Sequence, residues 1–132
     1  MRVITFGVFD YFHYGHLKLF ERCKEHGDYL IVAVQKGEEI LKTKPQAKVL
    51  YSTQQRLEIV SSIRYVDEVI EYGQIAEDIS KINFDVLIVG GDQTHIGFQT
   101  AIQWCKDNGK KVVCLPRTPN ICSSDIKKDL NK

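Results

Sequence analysis

The chain has 132 residues, the usual size of one compact domain, so a single domain over residues 1–132 is expected. It is 43% hydrophobic and 27% charged, which argues against a disordered or fibrous protein. A formal net charge of +1 lacks the basic excess of general nucleic-acid binders, so no nucleic-acid partner is expected. No apolar run approaches the roughly 18 residues of a membrane span. No signal peptide or C-x-x-C pair is recognised, and we expect a cytoplasmic protein with reduced thiols and no membrane partner.

Short β-rich runs alternate with amphipathic helical segments along the chain. Strands are predicted over residues 3–6, 29–34, 66–70, 85–89 and 111–115. Helices are predicted over residues 15–26, after the capping box of Ser52 and Gln55, over 74–82 and 96–108, and near Ser123. Gly27 is predicted to cap the first helix, and Cys23 and Cys114 to pack inside. This alternation is typical of an α/β, Rossmann-like doubly wound sheet of five parallel strands, with the common order 3-2-1-4-5.

Residues 36–50 are predicted to form an exposed, mobile loop. The segment contains Pro45 and the lysines at positions 36, 42, 44 and 48. The simplest interpretation is a solvated connection. The alternative is a lid that becomes ordered when one of its lysines, Lys44 first and Lys42 next, reaches over bound phosphates.

The chemistry is expected where the sheet changes its direction of winding. Ligands of open parallel sheets bind beyond the carboxyl ends of the strands at that point, here between the first and fourth strands. Residues 7–16 leave the first of these ends, and Gly90-Gly91-Asp92 leave the fourth. Both turns carry glycine, and the first opens into a helix whose N-terminus favours a phosphate.

His13 and His16 stand three residues apart at the start of this helix, with Gly15 between them. At that spacing the two side chains project toward the same face. A zinc site would need further ligands, and no suitable cysteine or aspartate pair lies nearby in sequence. A second alternative is that the histidines only cap the helix. Their pairing around a glycine at a strand-to-helix turn favours a phosphate site.

Residues 4–10 followed by His13-Tyr14-Gly15-His16 resemble the opening of the cytidylyltransferase-like nucleotidyltransferases, whose first signature is H-x-G-H. Residues 27–30, 64–69 and 117–124 resemble further segments of that family, in particular of its glycerol-3-phosphate branch. Three departures stand out: Val8 replaces a frequent threonine, Cys122 replaces a serine, and residues 71–76 lack the tryptophan and lysine expected for the acceptor.

The resemblance implies transfer of CMP from CTP to a small phosphorylated alcohol, with glycerol 3-phosphate as the first candidate. The products are a CDP-alcohol and pyrophosphate, with Mg²⁺ carried on the triphosphate, no protein metal site, and a homodimer. Implied catalytic residues are His13, His16, Lys44 and Arg117. Implied nucleotide-binding residues are Val8, Phe9, Asp10, Tyr14, Gly15, Gly91, Asp92, Thr118, Ile121, Ser123 and Ser124. Acceptor binding is implied for Asp10, Lys42 and Arg64.

Two other functions remain open at this point. One is an adenylyltransferase of the same fold that acts on a sugar phosphate or a cofactor precursor. The other is a non-catalytic nucleotide-binding module, which would bind CTP tightly without releasing pyrophosphate. The presence of His13, His16, Arg117 and Ser123 together argues against the non-catalytic module.

Overall fold

Five parallel strands form one sheet in the computed structural model, which describes residues 1–90 and 96–115. The strands are β1 (Arg2–Gly7), β2 (Tyr29–Gln35), β3 (Glu68–Tyr72), β4 (Val86–Gly90) and β5 (Lys111–Leu115). The helices are α1 (Tyr14–Cys23), α2 (Gly37–Thr43), α3 (Thr53–Ser61), α4 (Ile75–Asp78) and α5 (Ile96–Asp107), with 3₁₀ turns at Lys24–His26 and Ile79–Lys81. The strand order is β3-β2-β1-β4-β5, which confirms the predicted topology.

Helices cover both faces of this sheet, as a doubly wound fold requires. Successive β1 side chains alternate between the faces, so Ile4 joins one hydrophobic cluster and Val3 the other. The Ile4 cluster includes Phe98 of α5, and the Val3 cluster includes Phe20 of α1 and Val60 of α3. Within residues 1–90 and 96–115, no helix is long and apolar enough to cross a membrane.

The predicted helix after Ser52 begins with the expected reciprocal hydrogen bonds. The Gln55 N–H donates to Ser52 Oγ at 3.1 Å, and the Ser52 N–H donates to Gln55 Oε1 at 3.0 Å. These bonds satisfy two of the backbone N–H groups that a helix start leaves without a partner. The capping box is therefore confirmed.

Part of the predicted loop over residues 36–50 is a helix, α2. Glu38 and Glu39 lie in its first turn, where the helix dipole favours negative charge, and Ile40 is buried. The helix ends at Thr43 because the residue before Pro45 is disfavoured in helical conformation. The prediction of a loop over the whole segment was wrong. It rested on the exposed lysines, whereas the buried side chain of Ile40 holds α2 against the protein.

Gly27 lies at the C-cap of the 3₁₀ turn that ends the first helical segment, as predicted, and its backbone is extended, with φ −179°. A Cβ on Gly27 would lie 2.5 Å from Val3 Cγ2 and 2.6 Å from the Met1 carbonyl oxygen, so close packing requires the glycine. Two other local predictions differ from the structure. Cys114, predicted to pack inside, is exposed because β5 is an edge strand. The third strand begins at Glu68, since Asp67 instead accepts a hydrogen bond from the Leu30 N–H.

Candidate active site

The described part of the site is the turn from Val8 to His13 and the first turn of α1. This turn leaves the carboxyl end of β1, which lies between β2 and β4 at the point where the winding reverses. Several predicted site residues lie outside the described residues, and the structure carries no statement about them: Gly91, Asp92, Arg117, Thr118, Ile121, Ser123 and Ser124.

The backbone of this turn is strained. Phe9 has φ 55° and Tyr11 has φ 50°, and a left-handed conformation costs an L-residue roughly 1–2 kcal/mol. The Phe9 ring folds back over β1, where a Cβ on Gly7 would lie 2.8 Å from its Cζ. Strain of this kind persists only where surrounding contacts hold it, and it is frequent at functional sites.

The two histidines cap α1 in place of the usual serine and glutamate. His13 Nδ1 accepts a hydrogen bond from the Gly15 N–H at 3.0 Å, and His16 Nδ1 accepts one from the His13 N–H at 3.3 Å. The two rings stack with centroids 4.0 Å apart and an interplanar angle of 23°. The two histidines therefore do cap the helix, as the alternative interpretation holds. The cap occupies only Nδ1 of each ring.

The remaining nitrogen of each ring is a donor. Because Nδ1 accepts a backbone hydrogen in both rings, the neutral imidazoles carry their proton on Nε2. Burial, with a smaller contribution from the neighbouring charge of His13, lowers the pKa of His16 to about 3, and burial also lowers the pKa of His13. The rings of Phe9 and Phe12 lie against His16, with centroids 5.4 and 5.2 Å away, and account for this burial. At neutral pH the site therefore offers two neutral Nε2–H donors on stacked rings.

Asp10 is buried and holds the chain that follows α2. Its carboxylate accepts hydrogen bonds from the Leu50 N–H at 2.6 Å and the Tyr51 N–H at 3.0 Å. A carboxylate that accepts two backbone hydrogens is a strong, charge-assisted anchor. The structure thus gives Asp10 a positioning role, while its nucleotide and acceptor contacts stay predictions.

The candidate lysines lie in and after α2, which starts just beyond the carboxyl end of β2 and therefore at the same edge of the sheet as the histidines. Lys42 forms an ion pair with Glu39 one helical turn earlier. Lys44 is exposed at the end of α2.

Tyr14, a predicted nucleotide-binding residue, is the first residue of α1. It is 56% exposed, and the Lys18 ammonium lies 5.4 Å from its ring centroid.

Arg64 lies at the amino ends of the strands, whereas the histidines lie at the carboxyl ends. It stands between α3 and the start of β3, and its guanidinium donates to Tyr65 Oη at 3.2 Å. Tyr65 Oη in turn donates to Glu21 at 3.1 Å. A strand advances about 3.3 Å per residue, so the length of the sheet separates Arg64 from the histidines of the same chain. The structure does not bring this predicted acceptor residue to the site.

Arg56 was missing from the predicted site residues, and its guanidinium is fully buried beside the turn. It donates to the Val8 carbonyl at 3.0 Å and to the Gln35 carbonyl at 2.7 Å. A sequence signal existed: Arg56 precedes the buried Val60 by four residues and so shares its helical face.

Comparisons with known proteins agree with this geometry. A family model described as cytidylyltransferase-like matches residues 4–129. The chain is 41% identical to the glycerol-3-phosphate cytidylyltransferase of Bacillus subtilis (strain 168) over 132 residues, covering 98% of this chain and 96% of that protein. It is also 41% identical to the FAD synthase of Pyrococcus abyssi, but over 96 residues that cover 70% of this chain and 64% of the relative.

A solved structure supports the fold independently. The lipopolysaccharide core biosynthesis protein from Thermoplasma volcanium GSS1 superposes with a TM-score of 0.71 at 23% identity, covering 89% of this chain and 96% of that one. At this identity the likeness concerns the fold alone. The family match and the nearly full-length relative confirm the prediction of a nucleotidyltransferase enzyme. This chain belongs to the cytidylyltransferase-like family.

Proposed function

We propose that this protein transfers CMP from CTP to a small phosphorylated alcohol, with glycerol 3-phosphate as the first acceptor to test. The observation that carries the proposal is the 41% identity over nearly the whole of both chains to a glycerol-3-phosphate cytidylyltransferase. The FAD synthase relative reaches the same identity over a shorter part of the chain, so an adenylyl transfer to flavin mononucleotide is the second candidate.

In the proposed reaction a phosphate oxygen of the acceptor attacks the α-phosphorus of CTP. The bond from that phosphorus to the bridging oxygen breaks, and pyrophosphate leaves with its electron pair. Negative charge grows on the phosphate oxygens, so positioned donors are the main contribution a protein can make. The Nε2–H groups of His13 and His16 are suited to this because the rings are neutral, stacked on each other and fixed through their Nδ1 atoms.

Mg²⁺ is proposed to enter with the triphosphate. This ion keeps several of its waters and binds mainly phosphate oxygens in such sites. Within residues 1–90 and 96–115 no group of three histidine, cysteine, aspartate or glutamate side chains is arranged to hold a metal ion. The Asp10 carboxylate is already occupied by two backbone N–H groups. An ion carried by the nucleotide needs no such group, and its contribution when bound would be to neutralise phosphate charge.

Other assignments extend this proposal. Lys44 is preferred over Lys42 as the lysine that reaches the phosphates, since Lys42 is already paired with Glu39. Arg117 and the serines Ser123 and Ser124 are proposed as phosphate ligands on the basis of the family resemblance. A homodimer and a cytoplasmic location likewise stay predictions.

The test is a pyrophosphate-release assay that crosses CTP, ATP, GTP and UTP with glycerol 3-phosphate, phosphoethanolamine and flavin mononucleotide. We expect CTP with glycerol 3-phosphate to give the highest rate. The control pair is His16→Ala against His26→Ala, since His26 lies in the 3₁₀ turn at the far end of α1. A preference for ATP by about tenfold, which equals about 1.4 kcal/mol of transition-state stabilisation, would reject the cytidylyl assignment. Tight CTP binding without pyrophosphate release from any pair would indicate a non-catalytic module.

A further inference from the structure

Arg56 bridges β1 and β2 just beyond the point where their backbone hydrogen bonds end, next to the histidine turn. The hydrogen-bonded register of β1 and β2 ends at Gly7 and Val34. The next residues along, Val8 and Gln35, both direct their carbonyl oxygens at Arg56 Nη1, at 3.0 and 2.7 Å. Buried carbonyl groups require donors, and one guanidinium nitrogen supplies two. Arg56 thus continues the pairing where the two strands separate.

The other guanidinium nitrogens bind the segment between α2 and α3 and the first residue of α3. Arg56 Nε donates to the Tyr51 carbonyl at 3.2 Å, and Nη2 donates to Thr53 Oγ1 at 3.2 Å. Thr53 Oγ1 also accepts from the Gly37 N–H at 2.9 Å, at the start of α2. Asp10 of the histidine turn accepts a hydrogen bond from the Tyr51 N–H, and Arg56 donates one to the Tyr51 carbonyl. Tyr51 is therefore fixed through both of its backbone polar groups.

Stability alone does not account for a cation at this position. Arg56 is fully buried, and burial lowers the pKa of its guanidinium, while the negative charge of Asp10 opposes that shift. Replacing buried charged groups by apolar residues of similar size is often neutral or stabilising. What a guanidinium supplies, and an apolar side chain does not, is a fixed fork of donors.

The fork fixes the peptide group that joins Val8 to Phe9. A trans peptide is planar, and its C=O and N–H point in opposite directions. With the Val8 oxygen held by Arg56, the Phe9 N–H is turned away from Arg56. Phe9 has φ 55°, so this turn needs such a restraint.

We propose that Arg56 is a positioning residue for nucleotidyl transfer, which aims the Phe9 N–H at the phosphates of the nucleotide. The inference rests on the proposed function. A donor aimed where charge develops gains strength in the transition state. Loss of this aim therefore lowers kcat more than it raises the KM for CTP.

The first test is Arg56→Lys, which keeps the charge and removes the fork. The matched control is Val60→Ala, which removes buried methyl groups from the same face of α3 and leaves the hydrogen bonds of Arg56 in place. Rates are measured well below both melting temperatures and per folded molecule. We expect Arg56→Lys to lose about 10- to 100-fold in kcat, with the KM for CTP within about threefold, and Val60→Ala to keep both constants. If Arg56→Lys keeps its kcat, or loses no more than Val60→Ala, charge or packing is sufficient and the proposal is wrong.

The second test uses the unchanged protein, so it holds even if Arg56→Lys does not fold. The ¹H–¹⁵N spectrum is recorded during titration with CTP and Mg²⁺, and separately with cytidine. We expect the Phe9 amide resonance to shift with CTP and to stay in place with cytidine, which has no phosphate. Shifts at His13 and His16 without one at Phe9 would overturn this inference and leave the proposed function standing. The absence of any CTP-dependent shift would overturn both.

Discussion

We predict that His16 lowers the free energy of unfolding in mild acid, because its ring is buried and stays neutral in the native protein. Burial lowers the pKa of His16 from 6.5 to about 3, so the native protein keeps the ring neutral where the unfolded chain protonates it. The unfolded state then binds more protons, and stability falls as the pH drops from about 7 toward about 3. At pH 4.5 the difference from the unfolded pKa is about two units, or about 2.7 kcal/mol of unfolding free energy at 1.36 kcal/mol per unit.

The perturbation that isolates this effect is His16→Gln. Glutamine does not titrate, and at the third position of a helix its carbonyl oxygen can still accept from the His13 N–H, as in a capping box. Urea unfolding is followed by circular dichroism at pH 7.5 and pH 4.5 for the wild type, His16→Gln and the control His26→Gln. We expect the wild type to lose about 2.7 kcal/mol more than His16→Gln between these pH values.

Other carboxylates and histidines also weaken the fold in acid, but they contribute equally to the wild type and to His16→Gln. The difference between the two losses therefore reports His16 alone. Losses that agree within about 0.5 kcal/mol would show that His16 is accessible to protons in the native state. The argument for a neutral Nε2–H donor would then fail, because a protonated ring cannot accept the His13 N–H through Nδ1.

Three further predictions follow from single contacts. Gly27→Ala should destabilise the protein by about 1–3 kcal/mol in urea unfolding, because its Cβ would overlap Val3 and the Met1 carbonyl. The control is Gly37→Ala, whose Cβ would lie 3.5 Å from its nearest neighbour and should cost less than about 0.5 kcal/mol; equal costs of both would contradict the packing argument. Asp10→Asn should lower the unfolding free energy by about 1.5–3 kcal/mol by weakening two charge-assisted hydrogen bonds, and an unchanged melting temperature would refute this. Lys44→Ala should slow pyrophosphate release more than Lys42→Ala, and equal rates would remove the distinction between the two lysines.

The sequence by itself determined the architecture. The apolar runs at 29–34 and 85–89 predict strands buried on both faces, and the helical segments between them require parallel connections. The capping box at Ser52 and the histidine turn after β1 were also predicted correctly as elements of the chain. Each of these features depends on residues within one or two turns of each other, so a local pattern is sufficient to identify it.

Only the tertiary structure decided which side chains meet at the site. Arg56 is separated by 48 positions from Val8 and by 21 from Gln35, and Asp10 by 40 from Leu50. The position of Arg64 in the sequence does not indicate that it lies at the amino ends of the strands, away from the histidines. Such contacts arise when distant segments converge at one end of a sheet, and the hydrogen bonds formed there offset the cost of removing a charged residue from water. That convergence gives Arg56 and Asp10 their hydrogen-bond partners, and these partners are a property of the folded chain that no local pattern carries.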